Sequence, residues 1–389
     1  MENPSVALVG DNLDEVNGIA LSSRTLVRTM RRQGRRVYLI GVAFHTKPAR
    51  MEEKGGAIFM VPGCCSMDQP GYEGSETAIP KIGLVVKLLR RYPIDLIEIE
   101  VPGGVGFTTL VLAKILGIKT ITHYRTDLIA YFKFLIKNPL GVWALNTWVT
   151  LFTRFGGPVV VPSRAFKPKI IHMGVSQENI HILPRGVALS MFNPEKKTNG
   201  AWERSTSNYS GIRIIYLGRI SQEKNLDMLI ENYPLLGKKD YDVNLTIIGE
   251  GPYLEEMKQC LSQAKKIDFT GFLRGTELAG VLAAADIMAF PSTTDTFGNT
   301  VLEALASGIP CIVSNQGGPQ EIIEDGKSGL VFDPNVEGDF LKKIIFLMEK
   351  PDILESFKKA ARERALQFTH ENSADTFWAF YQNLLADSA

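Results

Sequence analysis

The feature that most constrains the fold is a series of short apolar runs that alternates with amphipathic stretches along the whole chain. The runs are rich in Val and Ile and are followed by Gly, Pro or Ser. Strands buried on both faces have this composition, and strands that alternate with helices build parallel sheets through right-handed crossovers. The sequence therefore predicts an α/β fold with doubly wound parallel sheets. The runs lie at residues 5–10, 36–42, 57–61, 95–100, 119–123, 158–162, 212–218, 244–249, 267–270, 287–291, 310–314 and 329–332.

A polar segment divides the runs into two series. Residues 192–211 are rich in Asn, Ser, Thr, Lys and Gly, which is typical of a linker. Since domains average about 150 residues, we expect two Rossmann-like domains at residues 1–190 and 212–368, joined by a linker at residues 191–211. Ligands of such sheets lie beyond the carboxyl ends of the strands, so we expect a site in a cleft between the domains. One very wide sheet is the alternative.

Charge is unevenly distributed. Residues 1–200 hold 25 Lys+Arg against 15 Asp+Glu (+10), and residues 201–389 hold 18 against 27 (−9). This split suggests that the first half meets an anionic partner, and we expect no nucleic acid. A hydrophobic content of 45% excludes a disordered chain. No window reaches the roughly 18 apolar residues of a spanning helix, and the N-terminus lacks a signal-peptide layout, so we expect a cytoplasmic protein.

A basic face follows the first strand, on the helix predicted there. Aromatic and apolar stretches with interspersed lysines come later, at residues 131–138 and 143–152. We expect these elements to bind an anionic bilayer from its inner face and to give access to a lipid acceptor. The alternative is a solvated basic face beside two core helices. The basic residues near one helical face are Arg24, Arg28, Arg31, Arg32 and Arg35.

The segment after residues 287–291 carries two acids. Asp295 lies in a polar loop, and Glu303 lies more than one turn inside a helix that starts near Gly298. The free N–H groups at the start of that helix favour phosphate. The arrangement predicts a sugar at Asp295, a phosphate at the amides and a ribose at Glu303. Helix capping by Asp295 and a solvated Glu303 are the alternative. The amides belong to Phe297, Gly298, Asn299 and Thr300.

Other loops of the second series supply cations and glycines. Arg219 and Lys224 flank a turn after residues 212–218, where two cations could neutralise a diphosphate. Gly251, in Gly-x-Gly-Pro, would allow close backbone approach to a ligand. Phe272 and Leu273 are candidates for apolar contact with a base. Each feature alone also suits an ordinary turn or a surface ion pair.

Taken together, the motifs resemble glycosyltransferase family 4. The resemblance implies the GT-B fold and retaining transfer of a sugar from a nucleotide-sugar, without a metal or other cofactor. It also implies a C-terminal helix at residues 369–389 that crosses back to the first domain. The motifs are Gly218-Arg219 with Lys224-Asn225, Gly249-x-Gly251-Pro252, Thr270-Gly271-Phe272, Asp295-x7-Glu303 and Gly317-Gly318-Pro319-x-Glu321.

The first half resembles the family more loosely. Asn17 and Gly18 resemble the glycine loop that faces the donor. Residues 102–106 and 185–187 resemble a subgroup of mannosyltransferases and sulfoquinovosyl-diacylglycerol synthases, which slightly favours GDP-mannose over a UDP-hexose. Alignment places Arg125 where the family has its active-site His, with His123 two residues earlier. Either could be the key polar residue, although Arg cannot shuttle a proton at neutral pH, and His123 could equally be a core imidazole.

The implied chemistry is departure of a nucleoside diphosphate from an anomeric carbon. Negative charge then builds on the leaving group, and Arg219, Lys224 and the helix amides would receive it. Two other functions compete with this one. An epimerase on the same fold would need acid–base groups on both sides of the sugar. A dinucleotide-dependent dehydrogenase should show Gly-x-Gly-x-x-Gly at its first turn, which the residues after Gly10 lack.

Overall fold

The structure is a computed structural model, and it divides into two compact units. One consists of Met1–Gly186 and His370–Ala389, and the other of Val187–Thr369. The second unit begins before the linker expected at residues 191–211, because the Val187 N–H donates to the Phe368 carbonyl (2.9 Å). The described residues are 3–11, 13, 18–43, 49–68, 76–130, 138–197, 211–239 and 241–387.

The described part of the first unit contains a nine-stranded sheet in the order β3-β4-β2-β1-β6-β7-β8-β9, with β5 paired to β4. All six apolar runs predicted in this half form strands. The runs do not predict β3 and β5, which pair antiparallel with β4, or the short β9. The strands are β1 Ser5–Val9, β2 Arg36–Ala43, β3 Ala49–Glu53, β4 Gly56–Asp68, β5 Glu76–Pro80, β6 Leu96–Ile99, β7 Lys119–His123, β8 Val159–Val161 and β9 Ile180–Ile182.

Helices cover both faces of this sheet. They are α1 Gly18–Arg32, α2 Ile82–Arg91, α3 Gly104–Leu116, α4 Pro139–Phe155, α5 Lys167–His172 and the C-terminal helix His370–Ala386. Alternate side chains of a strand point to opposite faces. Ala7 and Val9 therefore pack with α2, α3 and α4, while Val6 and Leu8 pack with α1 and the C-terminal helix. The sheet thus separates two helical layers.

In the second unit, six described strands form a parallel sheet in the order β12-β11-β10-β13-β14-β15. This is the doubly wound order of a Rossmann fold, with the direction of winding reversed between β10 and β13. All six predicted runs form strands; five of them are mostly buried, and the edge strand β12 is partly buried. The strands are β10 Ile212–Leu217, β11 Val243–Ile248, β12 Ile267–Gly271, β13 Ile287–Phe290, β14 Cys311–Ser314 and β15 Gly329–Phe332.

The helices of the second unit connect these strands and extend beyond them. They are α6 Asp227–Lys238, α7 Leu254–Cys260, α8 Gly275–Ala283, α9 Asn299–Ala306, α10 Pro319–Ile322, α11 Asp339–Met348 and α12 Pro351–Ala365. Short 3₁₀ helices occur at Arg164–Phe166, Gln177–Asn179, Pro194–Lys196 and Gln222–Lys224. None of the described helices is both long enough and apolar enough to span a bilayer.

Candidate functional site

The loops that follow β10 and β13 meet at the point where the sheet of the second unit reverses its winding. Lys224, at the end of the first loop, places Nζ 2.9 and 3.0 Å from the two carboxylate oxygens of Asp295 in the second. The Thr294 hydroxyl donates to the Glu223 carbonyl (3.0 Å). Both members of the ion pair are partly exposed. The structure therefore brings together a cation and an acid that the sequence analysis places on different parts of a ligand.

Arg219 leaves the same strand end. The buried Tyr216 hydroxyl donates to the Arg219 carbonyl (2.8 Å), which holds the backbone of this loop. The Arg219 side chain is half-buried. Both predicted diphosphate cations thus lie in one loop at the carboxyl edge of the sheet, where ligands of such folds bind.

Gly249 and Gly251 have a packing role that the sequence does not predict. A Cβ at Gly249 would lie 2.0 Å from the Gly218 carbonyl oxygen, and one at Gly251 would lie 2.2 Å from the Ile220 carbonyl oxygen. The Ile220 N–H donates to the Glu250 carbonyl (2.9 Å). These glycines therefore let two loop backbones approach each other.

Helix α9 begins with an uncompensated N-terminus. Gly298 precedes it with a left-handed φ of 102°, no side chain caps it, and its first turn has no acidic residue. The free N–H groups of that turn and the helix dipole make an anion site. Gly318 holds the loop before α9, because its N–H donates to the Asp295 carbonyl (2.8 Å). The Phe297 side chain is buried in the core, so only its amide is available to a ligand.

Glu303 lies inside α9 and is half-buried. Burial raises the pKa of its carboxyl to about 7. Ionisation of a buried carboxyl is unfavourable because the charge is desolvated. Hydroxyl donors from a ligand would stabilise the charge and reduce this free-energy cost. This property suits the ribose contact that the sequence predicts for Glu303.

The segment after β12 has one exposed aromatic ring. Phe272 is 55% exposed, and the Arg274 guanidinium carbon lies 4.5 Å from its ring centroid. Leu273 instead packs against the core of the unit, which weakens its candidacy for base contact. The sequence analysis did not predict a role for Arg274. Its position two residues after Phe272 could have indicated the contact between the guanidinium and the aromatic ring.

In the first unit, a buried ionic cluster lies at the carboxyl ends of β6 and β7. The Arg125 Nη2 atom lies 2.6 Å from a carboxylate oxygen of Glu100 and 3.7 Å from one of Glu98. Ser23 donates its hydroxyl to Glu100 (2.6 Å). Tyr381, from the C-terminal helix, donates to Glu98. Burial raises the pKa of both carboxyls, and the Arg125 charge opposes that shift.

His123 belongs to the same cluster and is only 4% exposed. Its Nδ1 lies 2.7 Å from Glu98. Burial, together with the charges of Arg125 and Arg185, holds the pKa of His123 well below its usual value. The imidazole is therefore neutral at physiological pH, and its Nδ1 forms a hydrogen bond with Glu98. His123 is therefore a buried residue at the end of β7.

Sequence reasoning missed Glu98 and Glu100 as partners of Arg125. The sequence did contain a sign of this pairing, because Glu98 and Glu100 are acids among the apolar residues that follow Asp95. Buried carboxylates need a partner, and the neighbouring strand β7 offers His123 as its last residue and Arg125 just after it. The role of Tyr381 could not be foreseen, since it depends on where a helix distant in sequence packs.

The predicted glycine loop is only partly described. Asn17 lies outside the described residues, and Gly18 is the first residue of α1. Nearby, the buried Asp11 accepts the Val105 N–H (3.0 Å) at the start of α3. Burial raises the pKa of Asp11 to about 7. Helix α3 therefore has an acid from this chain at its N-terminus, whereas the first turn of α9 contains no acidic residue.

The expected basic face does not exist as a single surface. Arg31 is only 7% exposed; it donates to the carbonyls of Val37 (2.8 Å) and Ala57 (2.9 Å) and pairs with Glu53. Arg35 donates to the Ala374 carbonyl (2.7 Å). The predicted surface role is therefore wrong for Arg31 and Arg35, because internal partners hold both side chains.

The other three arginines remain at the surface. Arg28 and Arg32 are exposed and Arg24 is half-buried. They lie on α1, however, and α1 and α4 cover opposite faces of the sheet. The arginines of α1 and the tryptophans of α4 therefore do not form one contact surface. Residues 131–137 of the aromatic stretch lie outside the described residues.

Two family models together match most of the chain. Residues 16–190 match Glycosyltransferase Family 4, and residues 203–364 match Glycosyl transferases group 1. These matches correspond to the two α/β units.

Three relatives cover most of the chain. Sulfoquinovosyl transferase SQD2 of Arabidopsis thaliana is 28% identical, over 91% of this chain and 68% of that protein. A GDP-mannose-dependent alpha-mannosyltransferase of Mycolicibacterium smegmatis is 27% identical, over 84% of each chain. The alpha-monoglucosyldiacylglycerol synthase of Streptococcus pneumoniae is 26% identical, over 94% of this chain and 82% of that protein.

Solved structures share the fold. Sucrose-phosphate synthase from Thermosynechococcus elongatus superposes with a TM-score of 0.76 at 18% identity, over 99% of this chain and 100% of that chain. HepE of Anabaena, crystallised with UDP-glucose, gives 0.75 at 17% identity, over 97% and 99%.

The two α/β units, the two family models and the solved structures together define a glycosyltransferase of the GT-B fold. The residues that carry the five sequence motifs belong to the carboxyl edge of the second unit's sheet or to the turns that support it. The chain belongs to the glycosyltransferases that the family 4 and group 1 models describe.

Proposed function

We propose that this glycosyltransferase moves a hexose from a nucleoside-diphosphate sugar to a lipid or glycan acceptor, with retention of anomeric configuration and without a divalent metal ion or other cofactor. GDP-mannose is the preferred donor and a UDP-hexose the second candidate. The observation that carries the proposal is the meeting of Lys224, Asp295 and the uncapped start of α9 at one sheet edge.

The leaving group is the first consideration. When the bond from the anomeric carbon to the diphosphate oxygen breaks, the diphosphate takes the electron pair and gains negative charge. Lys224, Arg219 and the first-turn amides of α9 supply positive charge at the carboxyl edge of the sheet. Preorganised donors of this kind stabilise a developing anion, and each is worth about 10²–10³-fold in rate. In this scheme they do the work that a metal ion would otherwise do.

The rest of the donor occupies the neighbouring residues. Asp295 accepts hydrogen bonds from sugar hydroxyls while Lys224 keeps its carboxylate in place. Glu303 accepts from the ribose hydroxyls. The exposed ring of Phe272 suits stacking on a base. The preference for GDP as the nucleotide rests on the mannosyltransferase relatives.

Retention follows from a same-face mechanism. The acceptor hydroxyl attacks from the side that the diphosphate leaves, and a diphosphate oxygen takes the hydroxyl proton. Such a step needs no proton shuttle from the protein. This scheme agrees with a neutral, buried His123 and with an Arg at position 125.

A lipid acceptor is the narrower suggestion. It is supported by the name of a relative that makes a glucosyldiacylglycerol. A glycan acceptor stands beside it, since the mannosyltransferase name specifies only the donor.

The test is a transfer assay. Purified protein is incubated with radiolabelled GDP-mannose or UDP-glucose and with lipid and oligosaccharide acceptors, in the presence and absence of a chelator. We expect labelled product from one donor, unaffected by chelation, and an α-anomer by proton NMR when the donor is α-linked. Inverted product would contradict retention, and loss of activity with the chelator would contradict the metal-free scheme. Epimerised donor without transfer would favour the alternative enzyme class.

A further inference from the structure

One helical layer of the first unit has an unusual surface. Helices α2, α3 and α4 cover the same face of the sheet, and each contributes buried residues to one core cluster. Helices α3 and α4 are joined by their aromatic side chains. The Phe107 and Trp148 ring centroids lie 4.6 Å apart, and the Trp148 Nε1–H donates to the Pro102 carbonyl (3.0 Å).

The outer side of this layer is apolar. Phe107, Val111 and Ile115 are exposed and lie four residues apart, so they form one line along α3. Beside them α4 exposes Trp143, Leu151 and Phe155, with Ile115 74% and Trp143 63% exposed. An isolated exposed hydrophobic residue needs no explanation, but a contiguous patch on neighbouring helices indicates an interaction surface.

The charge of the layer is equally one-sided. None of the three helices contains an Asp or Glu residue. Their exposed charged residues are all basic: Lys87, Arg90 and Arg91 on α2, Lys114 on α3 and Arg154 on α4. An apolar, tryptophan-bearing surface that carries only positive charge is complementary to an anionic lipid headgroup layer above an apolar interior.

We propose that the surface formed by α2, α3 and α4 docks the first unit on an anionic lipid bilayer. The apolar residues of α3 and α4 enter the boundary between headgroups and acyl chains, and the cations of α2 lie among the headgroups. A second copy of this chain fits less well, since a symmetric contact would bring these cations against each other. The inference extends the proposed function by giving access to a lipid acceptor, but its test does not use transfer activity.

The surface differs from the one that the sequence predicts. The exposed arginines of α1 lie in the layer on the opposite face of the sheet. That layer offers a matched control, because Arg28 and Arg32 are two exposed cations on one helix, as are Arg90 and Arg91 on α2.

The experiment is vesicle flotation with the full chain. Phosphatidylcholine vesicles with and without phosphatidylglycerol are used, at low and high salt. Wild type is expected to float with the anionic vesicles and less so at high salt. Because a cation near an anionic surface raises partitioning about fivefold, R90Q/R91Q should bind roughly 25-fold more weakly. R28Q/R32Q should bind as wild type does.

A second variant tests the apolar part. Trp143→Glu with Phe155→Glu should reduce partitioning by at least about tenfold, with circular dichroism and thermal unfolding as folding checks. If this variant does not fold, R90Q/R91Q decides the question. Wild type that ignores anionic vesicles, or equal losses from the α1 and α2 variants, would overturn the proposal. So would a wild-type dimer, by light scattering, that W143E/F155E dissociates.

The two proposals can fail separately. Absence of vesicle binding together with transfer to a detergent-dispersed acceptor would reject the docking surface alone. Selective vesicle binding without any transfer would reject the proposed function alone.

Discussion

Lys224 lies 2.9 and 3.0 Å from the two carboxylate oxygens of Asp295, so one ion pair joins the loops that follow β10 and β13. The pair is partly exposed. The same two loops are also joined by a hydrogen bond from the Thr294 hydroxyl to the Glu223 carbonyl. The ion pair therefore fixes the position of both charged groups before a ligand contacts either of them.

The first prediction concerns this ammonium. Lys224→Ala should lower kcat by about 10²–10³-fold, because a positive charge near the leaving group is lost. Arg219→Ala should act on the same scale. Steady-state transfer rates at saturating donor measure the effect, and thermal unfolding verifies that the fold survives.

Lys238→Ala serves as the control. Lys238 is an exposed lysine in the last turn of α6 in the same unit, and its loss should leave turnover unchanged. Wild-type turnover in both Lys224→Ala and Arg219→Ala would remove these residues from the mechanism.

The second prediction concerns the pH dependence of stability. Burial raises the pKa of Glu303 from 4.5 in the unfolded chain to about 7 in the folded one. Between these values the folded protein binds a proton that the unfolded chain releases, so this group lowers stability as pH rises through the window. Glu303→Gln should therefore stabilise the protein by on the order of 2 kcal/mol at about pH 8, after allowance for partial exposure, and by little at about pH 4.

Chemical denaturation at both pH values measures this difference. The exposed acid Glu256 on α7 supplies the control Glu256→Gln, which should change stability equally little at both. The same Glu303→Gln variant should bind nucleoside diphosphate more weakly, because an amide is a poorer acceptor for ribose hydroxyls than a carboxylate. A variant that is both unstable at high pH and normal in binding would contradict the assignment.

The third prediction separates Arg125 from His123. Arg125→Met leaves the buried carboxyls of Glu98 and Glu100 without their guanidinium and should destabilise the first unit by about 3–5 kcal/mol. Adding Glu100→Gln should recover part of that loss, since one uncompensated charge is removed. Denaturant unfolding of the single and double variants measures the coupling free energy between Arg125 and Glu100.

Spectroscopy tests the histidine directly. The nitrogen NMR signals of His123 should report a neutral ring at about pH 6.5, where a histidine of ordinary pKa would be half protonated. A titration of His123 near its ordinary pKa would show that the ring is accessible and would reopen its candidacy as an acid–base group.

The fourth prediction distinguishes arginines of α1. Arg31→Ala should cost about 2–4 kcal/mol of stability, because it leaves the carbonyls of Val37 and Ala57 without their donor and removes the partner of Glu53. Arg32→Ala, one residue further on the exposed side, should cost less than about 0.5 kcal/mol. Equal effects in thermal unfolding would contradict the internal role of Arg31.

Much of the fold could be predicted because burial on both faces leaves a strong pattern in sequence. Each of the twelve apolar runs became a strand, and residues 119–123 and 329–332 match their strands from end to end. The edge strand Ala49–Glu53 could not be found in this way. It is mostly polar and is held by antiparallel pairing with β4, which follows it after a short turn.

The candidate site was predictable where it follows strand ends. Lys224 and Asp295 occupy adjacent loops because parallel strands bring their carboxyl ends to one edge. Their direct pairing was not predictable, since it depends on side-chain reach across two loops. The same holds for Arg31, whose spacing on the helix indicated a solvent face, whereas tertiary contacts with Val37 and Ala57 bury it.

Phe377, Trp378 and Tyr381 of the C-terminal helix complete the core of the first unit, although the whole second unit separates them from it in sequence. On the ribosome, residues 187–369 emerge as an uninterrupted stretch before those three side chains do. The second unit can therefore acquire its native packing during synthesis. The hydrogen bond from the Tyr381 hydroxyl to Glu98 can form only later, once Tyr381 has been synthesised. The core of the first unit can therefore be completed only after the second unit has been synthesised, the reverse of the usual vectorial order.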